Sequence, residues 1–275
     1  MYKLDYHKPK SLGEAGDLLS SHDNSTLMAG GMSLLPTLKL RLAQYDHLVD
    51  LAAIPDIKGI KRDGNFLTIG AMTRHYDVAS SDVVARAIPA LTVLAGGIGD
   101  PMVRNRGTIG GSIANADPAA DYPAAVLGLG ANIVTNRREI AGDDFFLGLF
   151  ETALGASEII MAVRFPIPLA AGYVKLHHPA SRFALVGVFV ARTKGGVRVA
   201  VTGAGPCVFR LKDAEALLDR EFSAGALANL AVKPDGLNSD MHATAEYRAH
   251  AIPVLLARAV DAAKAASGAV AGERK

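Results

Sequence analysis

Two glycine pairs with matching flanks constrain this chain more than any other feature: Ala29-Gly30-Gly31-Met32-Ser33 and Thr108-Ile109-Gly110-Gly111-Ser112. Glycine has no Cβ, so its amide can meet a ligand at contact distance and its φ can turn positive without steric cost. Successive amides in such a turn form a concavity that binds anions. One isolated Gly-Gly pair is most often only a turn. Two pairs with the same flanks point instead to a single extended anion, such as a diphosphate, gripped from two sides. A helix starting after Ser33 would add its positive dipole end. The second pair lies in a stretch, residues 97–125, that shows no clear helical or strand period and reads as a loop.

Familiar phosphate loops do not fit. No G-x-x-x-x-G-K-[ST] occurs, which removes a Walker A site. Gly97-Ile98-Gly99-Asp100-Pro101-Met102 begins like a Rossmann fingerprint but ends in Met, and no strand pattern leads into it.

The balance of 29 Lys plus Arg against 27 Asp plus Glu, with no basic run, argues against nucleic acid as the partner. Trp is absent and aromatics are 6%, which removes a base-stacking platform. Cys207 is the only cysteine, so the chain can form no internal disulfide and hold no iron–sulfur cluster of its own; a reducing, intracellular setting is expected. The N-terminus lacks a secretory pattern, and the most apolar window, Ala124 to Val134, is too short to span a bilayer.

Ser11 and Glu14 predict a capping box opening a helix, and "TLMAG" a buried strand running into the first glycine pair. "SLLPTLKLRL" has a helical apolar face with Ser33 placed as its cap. "HLVDLAAI" and "FLTIGAM" read as strands, and the stretch from Thr73 to Gly97 as helical with Thr73 as cap. "SEIIMAVRFP" is a strand closed by Pro166 and Pro168, the expected domain boundary. "FALVGVFVART" and "VRVAVTGAG" predict a hairpin of buried strands around Lys194-Gly195-Gly196. The Ala-rich remainder is helical, with a frayed tail at 267–275.

These residues carry a family resemblance. "AGGMSLLPTLKLRL" at 29–42, "LTIGAMTRHYDV" at 67–78 and "IGDPMVRNRGTIGGSIANADPAADYPAA" at 98–125 resemble the FAD-binding medium subunits of molybdenum hydroxylases, the family of aerobic carbon monoxide dehydrogenase and xanthine dehydrogenase. The resemblance implies an α+β fold: a two-subdomain FAD-binding region of the PCMH type, about 1–54 and 55–168, then a C-terminal domain of a small antiparallel sheet with helices, 169–275.

It also implies FAD as this chain's cofactor, cradled by Met28, Ala29, Gly30, Gly31, Met32, Ser33 and Leu34 and by Thr108, Ile109, Gly110, Gly111 and Ser112. Asp121 would accept from ribose hydroxyls near the adenosine. Ile98, Ile160 and Lys175 would line the flavin. Met32 and Arg182 depart from relatives that carry a polar and an acidic residue there. The implied partners are a large subunit with the molybdenum cofactor and a small subunit with [2Fe–2S] clusters, assembled as a dimer of heterotrimers. The setting is cytoplasmic, with contact to the inner membrane face through the complex left open.

Other candidates read as structural. His177-His178 would point to opposite faces of an extended segment, with no third ligand nearby in sequence. Cys207 reads as a small packed residue, and Asp117 and Asp121 as turn and ligand-orienting groups. Two rival readings remain: a stand-alone FAD-dependent oxidoreductase of a related fold, and a scaffold that has lost its flavin. "LHHPASRFALVGVFVA" offers no catalytic Ser or Glu set for the first, and intact glycine pairs argue against the second.

Overall fold

The computed structural model describes residues 1–272. The chain begins with alternating strand and helix: β1 (Asp5–His7), α1 (Leu12–Ser21), β2 (Ser25–Met28), α2 (Leu34–Lys39) and β3 (His47–Asp50). The strands pair in parallel in the order β1-β3-β2. Ser11 caps α1 as expected, accepting from Glu14 N at 3.2 Å, while the Glu14 carboxylate accepts from Lys10 N at 2.7 Å. Both bonds occupy amides near a helix start that have no partner within the helix. α2 is shorter than its apolar pattern suggests. Arg41 turns to φ 59°, the helix stops at Lys39 and Leu42 is left exposed. Ser33 is no cap: its own backbone is helical and its side chain makes no capping bond.

An antiparallel sheet follows, built from β4 (Ile60–Asp63), β5 (Phe66–Gly70), β6 (Asn132–Thr135), β7 (Glu139–Ala141) and β10 (Ile160–Pro166), while β8 (Phe146–Gly148) and β9 (Glu151–Thr152) form a separate hairpin. Its order is β4-β5-β10-β6-β7. Between β5 and β6 run α3 (His75–Ala79), α4 (Asp82–Ala87), α5 (Pro89–Gly96), α6 (Pro101–Arg106), α7 (Ile109–Asn115) and α8 (Tyr122–Leu129).

The stretch 97–125 is therefore mostly helical, not a loop. Helices of six to eight residues are too short to display a period, but their start signals are present. Asp100 accepts from Val103 N at 2.8 Å with Pro101 in the first turn, and Thr108 accepts from Gly111 N at 3.1 Å. Thr73 is not a cap either. Its hydroxyl donates to Gly59 O and accepts from Gly59 N, both at 3.0 Å, and Arg74 takes the position before α3.

The last sheet is antiparallel: β11 (Ala170–His177), β12 (Ala184–Thr193), β13 (Gly196–Thr202) and β14 (Phe209–Arg210), in that order, with the β12–β13 hairpin where the sequence puts it. α9 (Lys212–Arg220) and α10 (Ala245–Gly272) complete the chain. One face of β12–β13 packs Phe189 and Ala200 into the core shared with α8 and the middle sheet. The other packs Val186, Val188, Val199 and Val201 against Ile252 and Leu256 of α10. Burial on both faces explains the near-continuous apolar runs of these strands. α10 continues through Gly272, beyond the point where the tail was expected to fray; residues 273–275 lie outside the described residues.

Candidate functional site

A cavity of about 600 Å³ opens between the first parallel sheet and α6 to α8. It is lined by Ala29, Gly30, Gly31, Met32, Ser33 and Leu34 on one side and by Thr108, Gly110, Gly111 and Ser112 on the other, with Ile98, Asp121 and Ile160. Three of the residues singled out in the sequence do not reach it. Met28 ends β2 and Ile109 starts α7 with buried side chains, and Lys175 turns its ammonium into a buried network.

After β2, Gly31 turns to φ 74°, and the amides of Gly30, Gly31, Met32 and Ser33 donate to no acceptor among the described residues. Their neighbouring carbonyls are used: Gly31 O accepts from Leu35 N at 3.0 Å and Ser33 O from Thr37 N at 3.2 Å. Consecutive amides without protein acceptors on a cavity wall suit an anion. The dipole argument for this cluster falls away, because α2 has only six residues and no capping bond.

The second cluster is built differently. Ile109 N donates to Thr73 O at 3.1 Å, Gly110 N to Ala71 O at 2.8 Å, Gly111 N to Thr108 Oγ1 at 3.1 Å and Ser112 N to Thr108 O at 3.0 Å. Its amides, expected to face a diphosphate, are already bonded within the protein. Gly110 serves close packing: a Cβ there would lie 2.5 Å from Ala71 Cβ and 2.7 Å from Ala71 O. What this side presents to the cavity are the hydroxyl-bearing residues Thr108 and Ser112. The two clusters meet, because a Cβ on Gly30 would fall 2.2 Å from Arg106 O, and one on Gly111 3.2 Å from Ala29 Cβ.

Behind the wall, Lys175 Nζ donates to Gly97 O at 2.9 Å and to Asp121 Oδ2 at 3.1 Å, and the Tyr173 hydroxyl donates to Asp121 Oδ1. Each carboxylate oxygen of Asp121 thus already accepts from a protein group, although the residue also lines the cavity. Burial raises the Asp121 carboxyl above its usual range, and the Lys175 ammonium pulls against that rise. Arg104, read as part of a loop, sits in α6 and donates from Nη1 to Ile98 O at 3.1 Å and Gly99 O at 3.2 Å. Asn105 accepts from Arg74 Nη1 at 3.3 Å. Of the Arg-Asn-Arg segment, Arg104 thus holds the backbone that presents Ile98.

Two cavity residues were missed in the sequence. His75 is buried with Nδ1 unpaired, and desolvation, with help from the Arg104 charge, lowers its pKa to about 4. Glu158 accepts from Arg138 Nε at 3.1 Å, Thr135 Oγ1 at 2.7 Å and Gly155 N at 2.8 Å, and the Arg138 bond leads in holding its carboxyl down at about 2. His75 stood inside a quoted motif, but nothing in the sequence marked it as buried. Glu158 is recognisable only by its distant partners. Elsewhere, Asp117 closes a turn by accepting from Ala119 N at 2.8 Å, as read. His178 closes a turn by accepting at Nδ1 from Ala180 N and Ser181 N, at 3.2 and 3.1 Å, and its Nε2 lies 3.1 Å from His242 Nδ1; burial pushes the half-buried Cys207 thiol up, away from nucleophilic use.

The glycine cradle fits a flavin dinucleotide: unpaired amides for its diphosphate, hydroxyl-bearing residues opposite, and apolar Ile98 and Ile160 on the same wall. Sequence comparison agrees. The family described as the FAD-binding domain in molybdopterin dehydrogenase matches residues 2–168. The carbon monoxide dehydrogenase medium chain of Hydrogenophaga pseudoflava is 37% identical, over 95% of this chain and 97% of that one. The nicotine 6-hydroxylase medium subunit of Paenarthrobacter nicotinovorans is 35% identical, over 94% and 96%. Reconstituted CO dehydrogenase from Oligotropha carboxidovorans contains a chain that superposes with a TM-score of 0.88 at 34% identity, covering 96% of this chain and 99% of that one.

The fold and site are those of an α+β flavoprotein of the oxidoreductase class. The chain belongs to the FAD-binding medium-subunit family of the molybdenum hydroxylases, and FAD is its cofactor. Among the described residues, no helix is long and apolar enough to cross a membrane.

Proposed function

We propose that this chain is the electron-transfer flavoprotein of a molybdenum hydroxylase complex. Substrate is oxidised at a molybdenum cofactor on a large partner subunit, [2Fe–2S] clusters on a small partner subunit relay the electrons, and FAD on this chain passes them to an external acceptor. With Cys207 as its sole cysteine, the chain supplies no thiolate set for such clusters, so the relay must be a partner's. The arrangement is a dimer of heterotrimers in the cytoplasm, and the chain divides at residues 54 and 168 into two FAD-binding subdomains and a C-terminal domain.

The observation that carries this reading is the row of acceptor-free amides from Gly30 to Ser33 on one wall of a cavity whose other wall bears Thr108 and Ser112. Those amides would hold the diphosphate, and the two hydroxyls would approach it from the opposite side. Ile98 and Ile160 would flank the ring system and keep water from it. Bound FAD supplies two-electron and one-electron redox chemistry; the protein supplies orientation and an electrostatic setting. Arg104 and Lys175 hold the carbonyls around Ile98 and so fix where that side chain stands.

Hydrogen exchange on flavin-stripped and FAD-reloaded protein tests the cradle. Reloading should slow exchange at Gly30 to Ser33 at least tenfold and leave Ile109 to Ser112 nearly unchanged. Equal protection at both clusters, or none at the first, would sink the assignment. The relay is tested separately, by mixing the chain with its reduced iron–sulfur partner and following flavin bleaching; a flavin that dithionite reduces but the partner does not would remove the electron-transfer reading.

A further inference from the structure

Three imidazoles from three different segments converge on the first sheet, and none of them lines the cavity. His7 ends β1, His47 opens β3, and His22 follows α1 as its C-cap. In the parallel register Asp5 pairs with His47 and His7 with Val49, so strand alternation puts His7 and His47 on one face of the sheet. One nitrogen from each of the three rings lies within 4.8 Å of the others. His7 Nε2 and His47 Nδ1 are 3.0 Å apart, and the His22 and His47 ring centroids 4.2 Å. All three residues are half-buried.

Among the described residues the three rings make few bonds: His7 to His47, and His22 Nδ1 to Leu18 O and Ser21 Oγ. Among the described residues no carboxylate bonds any of the three rings, so no ion pair accounts for the grouping. His22 Nδ1 lies 3.1 Å from Leu18 O, and since a carbonyl only accepts, Nδ1 carries the hydrogen and Nε2 the lone pair. A backbone carbonyl that fixes the tautomer in this way is the usual outer support of a metal-ligating imidazole.

We propose that His7, His22 and His47 bind one divalent ion of the zinc class. Three imidazole nitrogens with an open fourth position match a tetrahedral zinc site completed by water. With Zn–N bonds of about 2.0 Å, ligand nitrogens stand about 3.3 Å apart, so the 3.0 Å pair is nearly in place and small ring rotations bring in the third. Oxygen-seeking magnesium and calcium are excluded by the all-nitrogen donor set. The bound ion would clip β1 and the end of α1 to β3 and stabilise the folded chain by mass action.

The test uses the full-length chain without an affinity tag, cleared of metal with EDTA and titrated calorimetrically with zinc chloride. One equivalent should bind, magnesium chloride should give no heat, and His22→Gln and His47→Gln should each weaken zinc binding at least tenfold. His242→Gln, which alters the separate His178–His242 pair, should leave it unchanged. Zinc-edge X-ray absorption of the loaded wild-type protein should show imidazole scattering from three ligands, and it decides the matter even if a variant fails to fold. No saturable binding, binding that survives in His22→Gln and His47→Gln, loss in His242→Gln, or a spectrum without imidazole scattering would each overturn the proposal.

Discussion

Between β2 and α2, four consecutive amides, Gly30 to Ser33, have no protein acceptor; at the start of α7, four consecutive amides, Ile109 to Ser112, all have one. The two segments share a sequence pattern and a cavity, yet the first leaves its backbone open to a ligand while the second spends its backbone on the β5–α3 turn and its own cap. Gly-Gly in the first permits a positive φ and contact with Arg106; in the second, Gly110 permits α7 to press against Ala71. Matching motifs on either side of a cavity thus need not make matching contacts: one wall is prebuilt and braced, and the other is completed by what it binds.

The sharpest way to break this contrast is to remove the brace. Lys175→Met leaves Asp121 buried without its ammonium partner and releases Gly97 O. Losing one member of a buried pair costs about 3–5 kcal/mol, so flavin-free protein should unfold at markedly lower urea. Unchanged stability would mean that the network behind the second wall contributes nothing to it.

The braced wall should also be sensitive to acid. His75 packs against Gly107, where an added Cβ would meet its Nε2 at 2.6 Å, and its Nδ1 is buried without a partner. Its folded-state pKa, about 4, lies below the ordinary 6.5, so the folded chain resists taking up the proton that the unfolded chain accepts. The stability from keeping His75 neutral is fully present above pH 6.5 and is lost as pH falls from there through about 4, about 3 kcal/mol in all. His75→Gln should flatten that part of the stability–pH curve and leave the loss below pH 4.5, where Glu158 titrates toward about 2. An unaltered curve between pH 6.5 and 4 would place the acid-sensitive group elsewhere.

Much of the fold could be read from the sequence, because its signals are local. The Ser11 cap, the β2 strand before the glycines and the β12–β13 hairpin each rest on residues within a few positions of one another. The helices of 97–125 escaped because six to eight residues hold too few turns for a period, though Asp100-Pro101 and Thr108 were start signals in plain view. At the site, the cavity residues of the first cluster were legible. The partners of the second were not: Ala71, Thr73 and Tyr173 lie dozens of residues from the groups they bond, and a sequence motif shows that an amide exists but not where its hydrogen bond goes.

A pair of hydroxyl deletions sharpens the comparison at the smallest scale. In sequence, Ser33 follows one Gly-Gly pair and Thr108 precedes the other, and both are residue types that cap helices. In the structure only Thr108 does so, accepting from Gly111 N, while Ser33 is exposed and makes no capping bond. Removing a working N-cap costs about 1 kcal/mol, so Thr108→Val should lower the stability of flavin-free protein by that amount. Ser33→Ala removes no bond and should stay within about 0.5 kcal/mol of the parent. If both residues touch the cofactor, FAD affinity falls in both variants, and only the flavin-free measurement separates them. Equal losses of stability would show that the two clusters are structurally equivalent after all; a loss confined to Thr108→Val would show that one hydroxyl supports the fold and the other is held free for the ligand.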